Sequence, residues 1–311
     1  MKLKIADYQS ESINPNTEKI DTAETIDIMR MINNEDYKIP AAIENEIDNI
    51  AEAVDSIAEK LNQGGRMIYL GGGTCGRLGI LDASEAAPYF NAPYEMVQGL
   101  IAGGPEAVYR VVPGVEDDTE KVIEELNQIK INANDAVVGI SSSGSTPYVV
   151  SGMNYANKTG CLTVAVVNNQ DSVLSKVVEQ TICVLAGPEV LAGATVYKAG
   201  TAQKMILNML SMGVMIKLGR VYKNLLVCVE ISNAKLVERV KKALVTATGL
   251  TDDKAAEYLD KTDNNAALAL VMWKLDVDLD EAKKVMNSAN GNLRYAMQRK
   301  INSSENIISK V

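Results

Sequence analysis

The chain has no histidine anywhere in its 311 residues. That absence removes the side chain that ordinarily titrates near neutrality, the commonest metal ligand, and every Ser-His-Asp or Cys-His nucleophile. Acid–base chemistry must then fall to carboxylates, Lys, Tyr, Cys or Ser, and no metal is expected. Cysteine is sparse: Cys75, Cys161, Cys183 and Cys228 lie far apart with no C-x-x-C spacing, and there is no signal-like apolar stretch or long apolar span. A reduced, cytoplasmic setting is the expectation. Positive charge is also in deficit, 31 Lys and Arg against 40 Asp and Glu, for a net charge of −9. Neither a nucleic-acid backbone nor an anionic membrane surface is expected as the main partner; any phosphate would have to be bound locally. A P-loop lysine and a suitably spaced ribose-binding acid are missing as well, which points away from nucleotides.

What the sequence does contain is two strand–loop–helix units rich in Gly, Ser and Thr. The first is the apolar run Met67-Ile68-Tyr69-Leu70, which reads as a buried parallel strand, followed by Gly71-Gly72-Gly73-Thr74-Cys75-Gly76-Arg77-Leu78-Gly79 and a helical pattern containing Ser84 and Glu85. Glycines let a backbone turn sharply and approach a ligand, and the free N–H groups of a helix start favour an anion. The second unit is the strand 136–140, the loop Ser141-Ser142-Ser143-Gly144-Ser145-Thr146, and a helix opened by Pro147.

Further strands are expected at 96–102, 162–167 and 181–185, with a helix between the last two. The βαβ alternation predicts a parallel sheet with helices on both faces. Upstream, residues 1–20 read as an irregular arm, either frayed or pinned, with a second subunit as one candidate anchor. A short helix from Asp21 or Thr22 to Ile32 and a longer one from near Pro40 to Leu61 follow. Glu116-Asp117-Asp118-Thr119 reads as the acidic start of a helix running to Ile129. Beyond residue 231 the pattern is a small helical bundle packed partly through Trp273. The expected segments are therefore 1–62, an arm with helices packing on the core; 63–230, the α/β sugar-phosphate-binding domain; and 231–311, the helical C-terminal domain.

These motifs, together with Asn33-Asn34-Glu35-Asp36, residues 99–104, Glu116-Asp117-Asp118, Thr146-Pro147-Tyr148, Gly187-Pro188-Glu189-Val190-Leu191, residues 198–204 and residues 233–239, make the chain resemble the N-acetylmuramic acid 6-phosphate etherases over nearly its whole length. It departs from that family's usual pattern at Cys75, where a Ser is usual, at Ala86 and Ala87, and at Ser145 and Val196, where arginines are usual, with Ala194 replacing a Ser.

The resemblance implies a flavodoxin-like sugar isomerase (SIS) domain and an etherase of amino-sugar metabolism and peptidoglycan recycling. Such an enzyme needs no cofactor and eliminates D-lactate from the phosphorylated amino sugar before water adds. It implies Glu85 as the acid that protonates the leaving lactate and Glu116 as the second catalytic residue, the base at C2, although the residues themselves leave open which is acid and which base. It implies substrate and phosphate contacts from Gly73, Thr74, Cys75, Ser84, Ser141, Ser143, Gly144, Ser145, Thr146, Glu189 and Lys198, and a homodimer with a shared active site. The reading from another class is a non-catalytic sugar-phosphate sensor, favoured by the missing arginines and opposed by the retained glutamates. An aldose–ketose isomerase is the third, disfavoured because that chemistry often draws on a histidine.

Overall fold

Uninterrupted apolar runs of five or six residues can be buried on both sides only when helices cover both faces of a sheet. The computed structural model, which describes residues 11–231 and 233–298, follows that rule. A 3-10 turn at Ile20–Thr22 leads into helices α1 (Thr25–Asp36), α2 (Lys38–Glu44) and α3 (Ile47–Asn62), then strand β1 (Met67–Gly71), α4 (Gly73–Phe90), β2 (Val97–Ile101) and α5 (Gly104–Tyr109). After a 3-10 turn at Val115–Asp117 come α6 (Lys121–Gln128), β3 (Ala136–Ser141), α7 (Pro147–Thr159), β4 (Leu162–Val167), a 3-10 turn at Leu174–Lys176, β5 (Gln180–Cys183) and α8 (Lys198–Lys217).

The five strands are all parallel, in the order β2-β1-β3-β4-β5, the flavodoxin-like arrangement. Every residue of β1, β3 and β4 is buried. On one face Ile68, Leu70, Val137, Ala165 and Val167 pack with Val122 and Leu126 of α6 and Tyr148, Val149 and Met153 of α7. On the other, α3 lies against β3, β4 and β5, burying Ile50, Val54, Ile57 and Leu61 at helical spacing.

The chain divides into two compact units. One comprises Met1–Ala86 and Pro93–Val214, the other Ala87–Ala92 and Met215–Val311. The second unit contains α9 (Ala234–Thr248), α10 (Asp252–Lys261), α11 (Ala266–Leu275), α12 (Leu279–Ser288) and α13 (Leu293–Gln298). Side chains of Asn233, Thr251, Asn265 and Asp278 accept the N-terminal N–H bonds of α9 to α12. Among the described residues no helix is long and apolar enough to cross a membrane.

Several local expectations change. The helix expected from Pro40 to Leu61 breaks at Asn45 and Glu46 into α2 and α3. The β4–β5 crossover holds a 3-10 turn in place of a helix: Asn168 and Asn169 donate their side chains to the carbonyls of Val184 and Ser142, and Ser172 Oγ bonds locally with Ser175 Oγ. Trp273 is only half-buried; the bundle core is formed by Val240, Leu244, Leu259, Leu270 and small alanines.

Residues 1–10 of the expected arm lie outside the described residues, but 11–20 are pinned within this chain. Asn14 Nδ2 donates to Pro188 O at 3.5 Å, Thr17 Oγ1 to Val190 O at 2.7 Å, and Thr195 Oγ1 is bonded to Glu11.

Candidate active site

Strand order fixes where a ligand can sit. The chain passes from β1 outward to β2 and then returns to β3 on the other side of β1, so the carboxyl ends of β1 and β3 form the switch point at which open α/β sheets bind ligands. Gly71 pairs in register with Ile140, so the glycine loop and the serine loop leave the sheet side by side.

The serine loop is a cup of hydroxyls at the start of α7. Ser141 Oγ lies 2.9 Å from Thr146 Oγ1 and 3.4 Å from Ser143 Oγ, and it accepts from Gly144 N at 3.0 Å. Ser143 Oγ accepts from Ser145 N at 3.2 Å and Ser145 Oγ at 2.9 Å. Gly144 is required here: its φ is +65°, and a Cβ on it would stand 2.3 Å from Ser172 Cβ. Thr146 precedes Pro147 at the first position of α7 and spends no side-chain bond on capping. The helix start therefore keeps its positive dipole end and its hydroxyls for an anion.

On the glycine side, α4 begins at Gly73, so Thr74 and Cys75 form its first turn. Glu116 is not the helix start that its acidic neighbours suggest. It lies in the 3-10 turn after Gly114, whose φ is +77°, while Asp118 Oδ1 takes the capping bonds from Glu120 N and Lys121 N at 3.2 and 2.9 Å. Glu116 is thereby swung over the glycine loop. A Cβ on Gly72 would lie 2.9 Å from Glu116 Cγ, and one on Gly73 2.9 Å from its Oε1. Glycines at these positions are what admit the carboxylate.

Glu85 is not brought to the same place within the chain. It stands more than three turns down α4 from Gly73, about 18 Å along the axis at the α-helical rise. It is exposed, as is Ser84, whose Oγ donates to Leu81 O at 2.7 Å.

Glu189 and Lys198 are engaged elsewhere. The buried Glu189 carboxylate accepts from Lys198 N at 2.8 Å and Ala199 N at 3.0 Å, capping α8. Lys198 Nζ, equally buried, donates to Glu35 Oε2 at 2.9 Å and Pro188 O at 2.8 Å. Burial alone would raise the Glu35 pKa, but bonds from Lys38, Lys198, Asn14 and Asn16 outweigh it and bring it from 4.5 to about 2.

Beneath the loops lies a polar network that the sequence reading did not single out. Gln203 Nε2 donates to Ser142 Oγ at 2.8 Å and Asn168 Oδ1 at 2.9 Å, and Cys75 Sγ is 3.6 Å from Ser142 Oγ. Burial raises the Cys75 pKa, with the Glu116 charge adding to the rise, so Cys75 stays a neutral thiol. A second cluster surrounds buried Asp82, which accepts from Tyr69 Oη at 2.7 Å and Ser211 Oγ at 3.0 Å. Burial lifts its pKa from 3.8 to about 6, opposed by those two bonds and reinforced by Glu85 nearby. The available signal for both clusters was a polar side chain, Gln203 or Ser211, on an otherwise apolar stretch of α8. Among the described residues no three Cys, Asp or Glu side chains are grouped as a metal site would require.

Two domain families match this chain: the glucokinase regulatory protein N-terminal SIS domain over residues 49–157 and the SIS domain over residues 124–212. The serine cup, β3 and all but the last two residues of α7 fall within both matched regions. Among full-length relatives, the N-acetylmuramic acid 6-phosphate etherase of Clostridium beijerinckii is 44% identical, covering 95% of this chain and 97% of its own. That of Rhizobium rhizogenes is 47% identical, covering 94% and 95%, and that of Pasteurella multocida is 46% identical, covering 93% and 96%. With identity at that level running almost end to end, the chain belongs to the N-acetylmuramic acid 6-phosphate etherase family.

Proposed function

We propose that this enzyme cleaves the D-lactyl ether of N-acetylmuramic acid 6-phosphate, giving N-acetylglucosamine 6-phosphate and D-lactate. What carries the reading is kinship over more than nine-tenths of both chains to proteins named for that activity. The switch-point geometry supports it. The hydroxyl cup at the start of α7 suits the 6-phosphate, and a carboxylate held over the glycine loop stands beside it.

In the ring-opened sugar the C2 proton is acidic and lactate at C3 is a β leaving group. Glu116 takes the C2 proton, the C3–O bond breaks with its electron pair leaving on the lactate oxygen, and Glu85 as a carboxylic acid protonates that oxygen. Water then adds at C3 of the alkene while a proton returns to C2. Positioned acid–base groups contribute roughly 10²- to 10⁴-fold each, and neither needs to be histidine.

The distance along α4 sets a condition on this mechanism: one chain's Glu85 does not reach the ring held at its own cup. Glu85 therefore serves a site completed by a second copy. Among the described residues its face of α4 is exposed, and Leu81, one turn before it, is 44% exposed.

The deciding experiment is incubation of the full chain with N-acetylmuramic acid 6-phosphate and enzymatic assay of D-lactate. Stoichiometric release is expected. Tight binding of the phosphosugar without any lactate would establish the sensor instead.

A further inference from the structure

The second compact unit contains a pocket of about 240 Å³ that the proposed chemistry does not use. Among the described residues its wall carries two cations, Arg220 and Lys283, and no carboxylate, in a chain whose net charge is −9. Arg220 Nη1 donates to the carbonyls of Phe90 and Asn91 at 3.2 and 2.7 Å. Those bonds hold the guanidinium in place but occupy one nitrogen, leaving the Nε and Nη2 donors of its fork without an acceptor among the described residues. Burial of the guanidinium pushes its pKa down, opposed only by the Cys228 thiol, and no carboxylate offsets the cost. A partly desolvated cation without a counter-ion is expensive, and an incoming anion would lower that expense.

Other features of the wall agree. The first turn of α11 contributes Ala267 and Leu268. Asn265 caps this helix by accepting from Leu268 N at 3.1 Å, so the N–H groups of Ala266 and Ala267 remain without an intrahelical acceptor. The end of α12 also borders the pocket, and a helix C-terminus normally repels anions. Here that repulsion is blunted, because Gly291 N and Asn290 N bond the carbonyls of Met286 and Asn287 at 2.9 and 3.0 Å. Leu268 and Met286 add apolar surface that could lie against the carbon skeleton of a ligand.

The volume falls just below the roughly 300–1,000 Å³ usual for drug-sized ligands, which limits the occupant to a small molecule. Two cations and a helix start match a dianion better than a monoanion. We propose that this pocket is a second binding site, additional to the Ser141–Thr146 cup, for a small phosphate monoester.

Methionine-methyl NMR on the full chain tests the assignment, because Met286 lines the pocket and its signal can be identified with Met286→Leu. The probes are inorganic phosphate and N-acetylglucosamine 6-phosphate, with sodium chloride at matched ionic strength and D-lactate as a carboxylate. The Met286 methyl should shift saturably with both phosphates and not with chloride. Lys283→Gln, an exposed change that should leave the fold intact, should weaken that response by about tenfold through loss of one charge-assisted contact. A Met286 signal unmoved by phosphate, a shift reproduced by chloride, a response to D-lactate alone, or a response unaltered in Lys283→Gln would each overturn the proposal.

Discussion

Gly72 and Glu116 compete for one small volume at the head of α4, and the outcome depends on a single missing Cβ. Gly72→Ala would place a methyl group 2.9 Å from Glu116 Cγ, so the carboxylate must move. Lactate release should then fall by at least about tenfold, since displacing a catalytic group by 1 Å can cost 10²-fold, while the melting temperature stays close to that of the parent. Near-parental turnover in this variant would detach Glu116 from the chemistry. Asp82 gives a prediction in pH. Its folded pKa, raised to about 6 from 3.8, means that the folded chain holds this proton more tightly than the unfolded one. Its contribution is fully present below about pH 3.8 and is lost as pH rises through about 6. Asp82→Asn cannot ionise, so thermal melts across that window should show a shallower loss of stability than the parent. Glu35 runs the opposite way: its stabilisation is present above about 4.5 and is lost as pH falls toward about 2. The two slopes are separable because only one disappears with Asp82.

Among the elements, the start of α8 has the sharpest test. Glu189 accepts two of its N-terminal N–H bonds from a buried position, so Glu189→Ala should destabilise the protein by about 2 kcal/mol, the upper range for loss of a cap. Denaturant midpoints at unchanged slope would measure it. The elements were legible where local pattern alone decides. Runs such as 136–140 and 162–167 could only be buried strands, and Asn, Thr or Asp stands before each of α9 to α12. Legibility failed where a distant partner decides. Asp118, not Glu116, caps the approach to α6, because the left-handed Gly114 and the 3-10 turn carry Glu116 to Gly72, 44 positions earlier in sequence. No periodicity encodes that contact. The presence of the two glutamates was readable, but their separation along α4 was not, since it depends on Gly73 already being helical. The bonds of Gln203 are illegible for a similar reason: its partners, Ser142 and Asn168, lie 61 and 35 residues away.

For the molecule as a whole, the placement of the glutamates makes a claim about number. If Glu85 of one copy works with Glu116 of another, Glu85→Gln and Glu116→Gln chains are each inactive alone, yet their mixture should recover about a quarter of parental turnover, because half of the two-fold dimers are hybrids with one intact site each. No recovery after subunit exchange, verified by native mass spectrometry, would place both glutamates in one chain's site and contradict the spacing along α4. The Glu35–Lys198 pair has a consequence of another kind, in time. Lys198 is joined to Glu35 across 163 positions, and Asn14 and Thr17 wait on Pro188 and Val190 across comparable distances. During synthesis at about 5–20 residues per second, the segment that holds Asn14, Thr17 and Glu35 would be made roughly 10–30 s before its anchor exists. Over that interval Glu35 lacks its bond from Lys198 and can draw only on neighbours in its own segment such as Lys38. Residues 14–35 are thus synthesised well before their anchors and are among the last to be locked, a closing step set by translation speed.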